Sequence, residues 1–344
     1  MINLLDPREE DKFRVRPEEL SQIVRTQRPE WIILDEVQKL PRLLDLVHLH
    51  IEEDKQKFIL SGSSARKLKR GQANLLAGRA VVNHLHPFTS VELGKDFELT
   101  RALEWGLLPK IFELQDDEER AQFLESYCLT YLKEEIQTEQ IVRRLDPFRA
   151  FIPIAAQMSG KIINFSKIAR EVGVDTTTVQ NYFSILEDTL LGFYLPAYHA
   201  SVRKRQKLAP KFYIFDTGVT RALSNILDVK LKPQTSLFGV FFENFLITEI
   251  RKLADYAGAK WEFSYYSSGD QEIDLVLHKP MRKTILIEIK STDQIQESDL
   301  EKFMRLSADF PNSKSYCFSL DPNPKKYEHV ECMHWKKGLE ILGL

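Results

Sequence analysis

The spacing of apolar residues changes several times along this chain, and each change marks an element. "MINLLD" reads as a strand from its first residue. "RPEELSQIVRTQ" follows with helical spacing and Pro17 near its first turn. "WIILDE" sets four apolar residues in a row before two acids. "PRLLDLVHLHIEED" returns to helical spacing, and "KFILSGSS" is again a strand, ending in small polar residues. Strands that alternate with helices, each strand apolar on both faces, predict a parallel sheet covered on both sides. A polar loop carrying "LLAGRAVV" comes next. From about Phe97 to Phe151 the spacing is helical, including "EERAQFLESYCLTYLKEEIQTEQIV".

A new unit starts at Asn164. "NFSKIAREVG" predicts a short helix closed by Gly173. "DTTTVQNYFSILEDTLL" predicts a second helix, capped by Asp175, with Val179, Phe183, Leu186 and Leu190 on one face. Two helices joined by a glycine-containing turn are a helix-turn-helix. "GFYLPAYHASVRKRQKLAPKFYIFD" then reads as a hairpin with a basic tip, which makes the unit a winged helix. The last part opens with the strongly apolar helix "LFGVFFENFLITEIRKLA". Strands follow at "WEFSYYSS", "EIDLVLHK" and "KTILIEIKST", then a helix around "QESDLEKFMRLSAD", then strands at "SKSYCFSL" and "VECMHW".

Composition adds limits. With 344 residues the chain has room for two or three domains. Hydrophobic residues at 43% and charged residues at 28% are ordinary for a soluble globular protein. Net charge is −2, so contact with nucleic acid must come from a local basic patch. Cys128, Cys317 and Cys332 are far apart and lack metal-ligand spacing; free thiols in a reducing cytosol are expected. The N-terminus lacks the pattern of a signal peptide, and no apolar run reaches the roughly 18–20 residues that span a bilayer. A cytoplasmic protein without a membrane partner is expected.

Two carboxylate clusters carry candidate chemistry. In "WIILDE", Asp35 and Glu36 end a strand, where ligands of open α/β sheets bind. Asp35 would hold Mg²⁺ through water and Glu36 would polarise an attacking water. Ser61, Ser63 or Ser64 on the neighbouring strand end would sense a γ-phosphate. A strand ending in a solvated acidic turn explains the same residues. The partner loop G-x-x-x-x-G-K-[ST] is absent: "SGSSARK" has no Gly-Lys. "AAQMSGKI" has Gly160-Lys161, but Ala155 replaces the first glycine and Ile162 the magnesium-binding hydroxyl. Efficient ATP hydrolysis by the chain as given is therefore not expected.

The second cluster lies in "EIDLVL" and "KTILIEIKST". Side chains alternate along a strand, so Ile285, Ile287 and Ile289 share one face and Leu286, Glu288 and Lys290 the other. Asp274 falls within reach across a hairpin. Asp on one strand and Glu-x-Lys on the next is the signature of the PD-(D/E)XK nuclease fold, in which Asp274 and Glu288 would hold Mg²⁺ and Lys290 would orient or activate water against a phosphodiester. Glu243, inside an otherwise apolar helix, needs a metal or Lys290 as partner. Gln271, Glu272 and Ser291 are weaker candidates for shaping the site. A salt-bridge network on an amphipathic sheet is the competing explanation. In the winged helix, Thr176, Thr177, Thr178, Gln180 and Asn181 stand where a recognition helix meets base edges, and Arg203, Lys204 and Arg205 would neutralise phosphates. Winged helices also bind proteins, so DNA contact is one of two outcomes. Tyr182, Phe183 and Tyr194 are expected in the core.

The chain resembles a large prokaryotic group of AAA+-superfamily ATPases fused to a C-terminal domain of unknown function. The resemblance rests on "INLLDP", "IILDEVQKLP", "FILSGSSARKL", "LLAGRAVVNHLHPFTSVEL", "YFSILEDTLLGFYLPAY", "PKFYIFDTGVTRAL", "FGVFFENFLITEI", "EIDLV" and "IEIKST", in that order, and covers nearly the whole chain. In that family the phosphate-loop strand precedes the segment matching "INLLDP", so Met1 would fall just after the phosphate-binding region. Carried over, Asp35 and Glu36 match the Walker B positions, the serines after Leu60 the sensor region, and Arg79 an arginine that serves a nucleotide site; a surface arginine is the alternative. The resemblance implies ATP as cofactor, DNA association and homo-oligomers. The expected fold class is α/β: an incomplete AAA+ parallel sheet with helices on both faces (1–95), a helical connector (96–150), a winged helix (151–215) and a PD-(D/E)XK nuclease-like α/β domain (216–344). The expected function is that of a truncated AAA+ ATP-binding protein with a Mg-dependent nuclease domain. The alternative is a non-catalytic module binding nucleic acid or protein.

Overall fold

The computed structural model describes residues 1–62, 80–131, 145–199, 201, 208–269, 271–279 and 282–344. Ser63, Arg79, Arg203, Lys204 and Arg205 lie outside them. The backbone divides into two compact units, residues 1–83 with 188–190, and residues 84–187 with 191–344.

The first unit is built on three parallel strands, β1 (Ile2–Asn3), β2 (Trp31–Asp35) and β3 (Lys57–Leu60), side by side in that order. Its helices are α1 (Pro7–Val15), α2 (Glu19–Gln22), which runs on into a π-helical turn at Ile23–Gln27, and α3 (Leu43–Glu53). Ile2, Leu4, Ile32 and Leu34 pack against Phe13, Leu20, Val24, Leu44 and Val47. The sequence patterning did not indicate α1. Asp6 caps it by accepting from the Arg8 backbone N–H and Pro7 opens it, but only Phe13 is buried, which leaves almost no periodic signal. Coverage of both sheet faces is not seen among the described residues: Ile33 and Ile59 project from the opposite face, join no core cluster, and Ile59 is 47% exposed.

The second unit begins with helices α4 (Ser90–Leu93), α5 (Leu99–Trp105), α6 (Asp117–Tyr131), α7 (Leu145–Gln157), α8 (Phe165–Val172) and α9 (Thr176–Asp188). Asn164 caps α8 and Gly173 ends it in the left-handed conformation, φ 73°. Asp175 accepts from the backbone N–H of Thr178 at 2.8 Å and so caps α9. Val179, Phe183 and Leu186 are buried as the spacing predicts. Leu190 is not on that face: α9 ends at Asp188, and Leu190 sits beyond it with φ 62° and 47% exposure.

After α9 come β4 (Gly192–Leu195) and β5 (Lys211–Ile214), an antiparallel pair. The chain before α8 adds a third line of hydrogen bonds. Ile162 bridges Lys211 antiparallel, Gly160 N donates to Phe212 O at 2.8 Å, and Ile163 N donates to Pro210 O at 2.9 Å. The short helix α10 (Thr217–Leu223) leads to the long helix α11 (Ser236–Tyr256).

A mixed sheet of six strands follows: β6 (Glu262–Ser268), β7 (Gln271–His278), β8 (Thr284–Lys290), β9 (Ser313–Ser319), β10 (Lys325–Tyr327) and β11 (Val330–His334). Their spatial order is β10-β11-β9-β8-β7-β6; β8, β9 and β11 are mutually parallel and the other pairings antiparallel. One face (Leu275, Leu277, Ile287, Ile289) packs on Phe238, Phe241, Phe242 and Phe245 of α11 and on Trp335 of α13 (Trp335–Leu342). The other (Val276, Leu286, Cys317) packs on Phe303 and Leu306, with helix α12 (Glu301–Ser307) laid across it. Each fully buried Phe contributes about 1.5–3 kcal/mol, so burial holds both faces of the sheet. Cys128, Cys317 and Cys332 are free and buried. Among the described residues, no helix is long and apolar enough to cross a membrane.

Candidate active site

In the first unit, β2 and β3 end together because Leu34 pairs with Leu60. That register sets Ser61 beside the acids. The Ser61 hydroxyl donates to Asp35 Oδ1, and Glu36 N donates to Ser61 Oγ at 3.2 Å. Glu36 is left-handed, φ 59°, a region sparsely used by residues other than glycine, and Gln38 donates to its carboxylate. Asp35, Glu36 and Ser61 are thus brought together; Ser63 and Arg79 are outside the described residues.

The second cluster is assembled from four elements. The ladder between β7 and β8 runs Leu275↔Ile287, Val276↔Leu286 and Leu277↔Ile285, then stops. At its end Asp274 Oδ2 accepts from the backbone N–H of Ile289 at 2.8 Å, so a side chain replaces the next strand-to-strand bond. Asp274 and Glu288 are both buried, and Lys290 Nζ donates to Glu288 Oε1 at 2.7 Å. Among the described residues, Glu288 Oε2 is buried without a hydrogen-bond partner. The apolar faces of α11 hold Glu243 in place, and the Tyr213 hydroxyl donates to its Oε1 at 3.1 Å.

Lys211 completes the arrangement and was not singled out from the sequence. Its side chain is 1% exposed; Nζ donates to Glu272 Oε1 at 3.0 Å and lies 3.6 Å from Glu243 Oε1. The available signal was a lysine opening the otherwise apolar strand "KFYI", all four residues of which are buried. Such a lysine needs anionic partners.

The electrostatics follow from burial. Burial raises the Glu243 carboxyl, Asp274 raises it further and Lys211 opposes, leaving it at about 7. Burial likewise pushes Glu288 up, with Asp274 adding and Lys290 opposing, to about 8. Asp274 is raised by burial against the pull of Lys211 and Lys290. Burial lowers Lys211 and Lys290, but the surrounding carboxylates outweigh it and hold both ammonium groups above their ordinary range. Among the described residues, the cations paired with Glu243, Glu272, Asp274 and Glu288 are Lys211 and Lys290, an excess of negative charge when all are ionised. That excess and the orphaned Glu288 oxygen fit a divalent cation. Among the described residues, no three His, Cys, Asp or Glu side chains are already gathered as a ligand set.

Two clefts open along the first turns of α11. One, about 390 Å³, is lined by Gln234, Thr235, Ser236, Gly239, Ser291 and Thr292. The other, about 300 Å³, is lined by Ser159, Gly160, Lys161, Ile162, Val240, Glu243, Asn244 and Glu272. On α9, Thr177, Gln180 and Asn181 are exposed and Thr176 half-buried, whereas Tyr182 and Phe183 are core residues and Tyr194 packs on Phe183 and Phe212.

Residues 1–94 match the model of an AAA domain; residues 96–230 match a domain of unknown function (DUF8612) and residues 238–337 another (DUF4143). Similar proteins include the uncharacterized proteins Mb2031c of Mycobacterium bovis and Rv2008c of Mycobacterium tuberculosis, each 26% identical over 224 residues, 64% of this chain and 51% of the relative. The chain therefore spans about half the length of the curated relatives it matches. Among solved structures, Can2 from Sulfobacillus thermosulfidooxidans, in complex with cyclic tetra-adenylate, aligns at 12% identity over 94% of both chains with a TM-score of 0.24, too low to carry an argument. The chain carries an AAA-type domain ahead of two domains of unknown function.

Proposed function

We propose that the second unit is a PD-(D/E)XK-like, magnesium-dependent phosphodiesterase acting on nucleic acid. The observation that carries this reading is the convergence of Glu243, Asp274, Glu288 and Lys290, with Lys211, at the end of β7 and β8. Asp274 and Glu288 would hold Mg²⁺, which when bound supplies a Lewis acid and a water of lowered pKa. Glu288 must release its proton, and the orphaned Oε2 is then free to ligate. Lys290, which donates to Glu288 Oε1, would hold a water or a phosphate oxygen beside it. Lys211 and Tyr213 hold Glu243 at the edge of the cleft.

In this reading α7, the 159–163 segment, α8, α9 and the β4–β5 hairpin form a winged helix. Thr176, Thr177 and Gln180 would meet bases, and Arg203, Lys204 and Arg205 would meet phosphates. The AAA-type domain supplies an ATPase-like module in which Asp35 would hold Mg²⁺ and Glu36 a water, with Ser61 fixing both. Without a phosphate loop in the chain, weak nucleotide binding is expected; tight ATP binding abolished by Asp35→Ala would contradict that.

The alternative is a non-catalytic binding module. It is favoured by the protein donors already on Asp274 Oδ2 and Glu288 Oε1. Incubating labelled DNA and RNA with Mg²⁺ or Mn²⁺ separates the two. Cleavage by wild type that is lost in Lys290→Ala supports the enzyme. Absence of wild-type cleavage with either metal sinks it.

A further inference from the structure

The acidic cluster has two halves, each with its own lysine. In one, Lys290 Nζ donates to Glu288 Oε1 at 2.7 Å, and Asp274 accepts from the Ile289 N–H alongside. In the other, Lys211 Nζ donates to Glu272 Oε1 at 3.0 Å and stands 3.6 Å from Glu243 Oε1. The two lysines are held differently. Lys290 reaches back two residues on its own strand, and its side chain is 34% exposed. Lys211 is buried, and its backbone is paired on both sides, with Leu195 of β4 and with Ile162. Its ammonium also lies 5.5 Å from the centre of the Tyr265 ring, and aromatic faces attract cations. Water reaches Lys290; Lys211 is a charge fixed inside the protein.

Charge balance sets how many ions such a cluster takes. Glu243, Glu272, Asp274 and Glu288 carry four negative charges when ionised, and Lys211 and Lys290 return two. One divalent ion cancels the remainder. A second would leave a buried excess of two positive charges, which is as costly as the negative excess it replaced. Lys161 shares the cleft of about 300 Å³ with Glu243 and Glu272, but it is exposed, and water and salt screen it. The halves also differ in what they lack. Among the described residues, Glu288 keeps a buried Oε2 with no partner, whereas Glu243 and Glu272 already share the Lys211 ammonium. The first half has an oxygen to give to a metal; the second is already filled.

We infer, resting on the metal-dependent phosphodiesterase reading, that Lys211 is a built-in cation in the place of a second metal. The cluster then takes one divalent ion, at Asp274 and Glu288, and Lys211 is a positioning residue that holds Glu243 and Glu272 without an ion. The full chain is titrated with Mn²⁺ by calorimetry at pH 8, and electron paramagnetic resonance reads whether the bound ions are isolated or paired. Wild type binds one isolated Mn²⁺ per chain. Lys211→Met empties the second half, whose carboxylates line an open cleft, and binds two. Lys211→Met with Glu272→Gln returns the count to one. A purely structural lysine would change the melting temperature and leave the ion count as it was. Two ions on wild type, or an unchanged count in folded Lys211→Met, overturns the inference. Where Lys211→Met does not fold, the wild-type count decides alone: one ion supports the inference and two overturn it. An ion on Lys211→Met but none on wild type would leave Lys211 as the built-in cation and remove the metal-dependent reading; no ion on either removes both.

Discussion

The two acidic sites of this molecule are built in opposite ways. In the first unit, Asp35 and Glu36 are neighbours in sequence; Gln38 meets them from two residues on and Ser61 from the end of the adjacent strand. In the second unit, Glu243, Asp274 and Glu288 arrive from three elements, with Lys211 arriving from a fourth. In the first, a hydroxyl donates to Asp35 and a side-chain amide to Glu36. The second is buried and short of positive charge, and burial raises Glu243 to about 7 and Glu288 to about 8. In the proposed reading, the under-compensated charge of the second site is what a cation from outside would neutralise.

Breaking the second site at its hidden member should have the largest effect. Lys211→Met leaves Glu243 and Glu272 without their shared cation, and the expected loss is about 3–5 kcal/mol in urea denaturation. Pairing it with Glu243→Gln should return part of that loss, since the stranded charge is gone; a purely additive double variant would show that the pair is not coupled.

Next in size is the pH response. Glu243 and Glu288 have folded values of about 7 and about 8, above the ordinary 4.5. Their protonated forms therefore favour the folded state. The stability they contribute is complete below about pH 4.5 and is lost as pH rises through 7 to 8. From these groups, stability should fall by on the order of a few kcal/mol between pH 5 and pH 9. Glu288→Gln should flatten that slope, and Mg²⁺ should raise the melting temperature more at pH 8.5 than at pH 5.5. A melting profile whose pH slope is unchanged by Glu288→Gln would contradict this.

The first site should respond less. Ser61→Ala removes a hydroxyl that serves both Asp35 and Glu36, and about 1–2 kcal/mol of loss is expected for the first unit. Smallest is Asp175→Ala, which removes the cap of α9 and should cost about 1 kcal/mol in thermal melts, with the acidic sites unaffected.

What was legible in the sequence follows from the same contrast. Period-two alternation placed Glu288 and Lys290 on one face, and a hairpin brought Asp274 alongside, because these facts depend only on local strand geometry. Lys211 was not legible: it precedes Glu272 by 61 residues, and its strand reads as plain core. The Gly160-Lys161 pair was visible as a failed phosphate loop, but its place over Asn244 depends on β5 passing between the two in the chain. Helix α1 escaped because one buried phenylalanine gives no period. Leu190 was misplaced because helical spacing continues in the sequence past the residue where the backbone turns left-handed.

In the proposed function the second cluster holds a divalent cation. Calorimetric titration of Mn²⁺ into the full chain at pH 8 tests it most directly, with Glu288→Gln and Asp35→Asn as paired variants. The account predicts binding that strengthens between pH 6 and pH 8 as Glu243 and Glu288 ionise, is lost in Glu288→Gln and is kept in Asp35→Asn. Absence of Mn²⁺ binding to wild type at pH 8, or binding that survives Glu288→Gln, would contradict it.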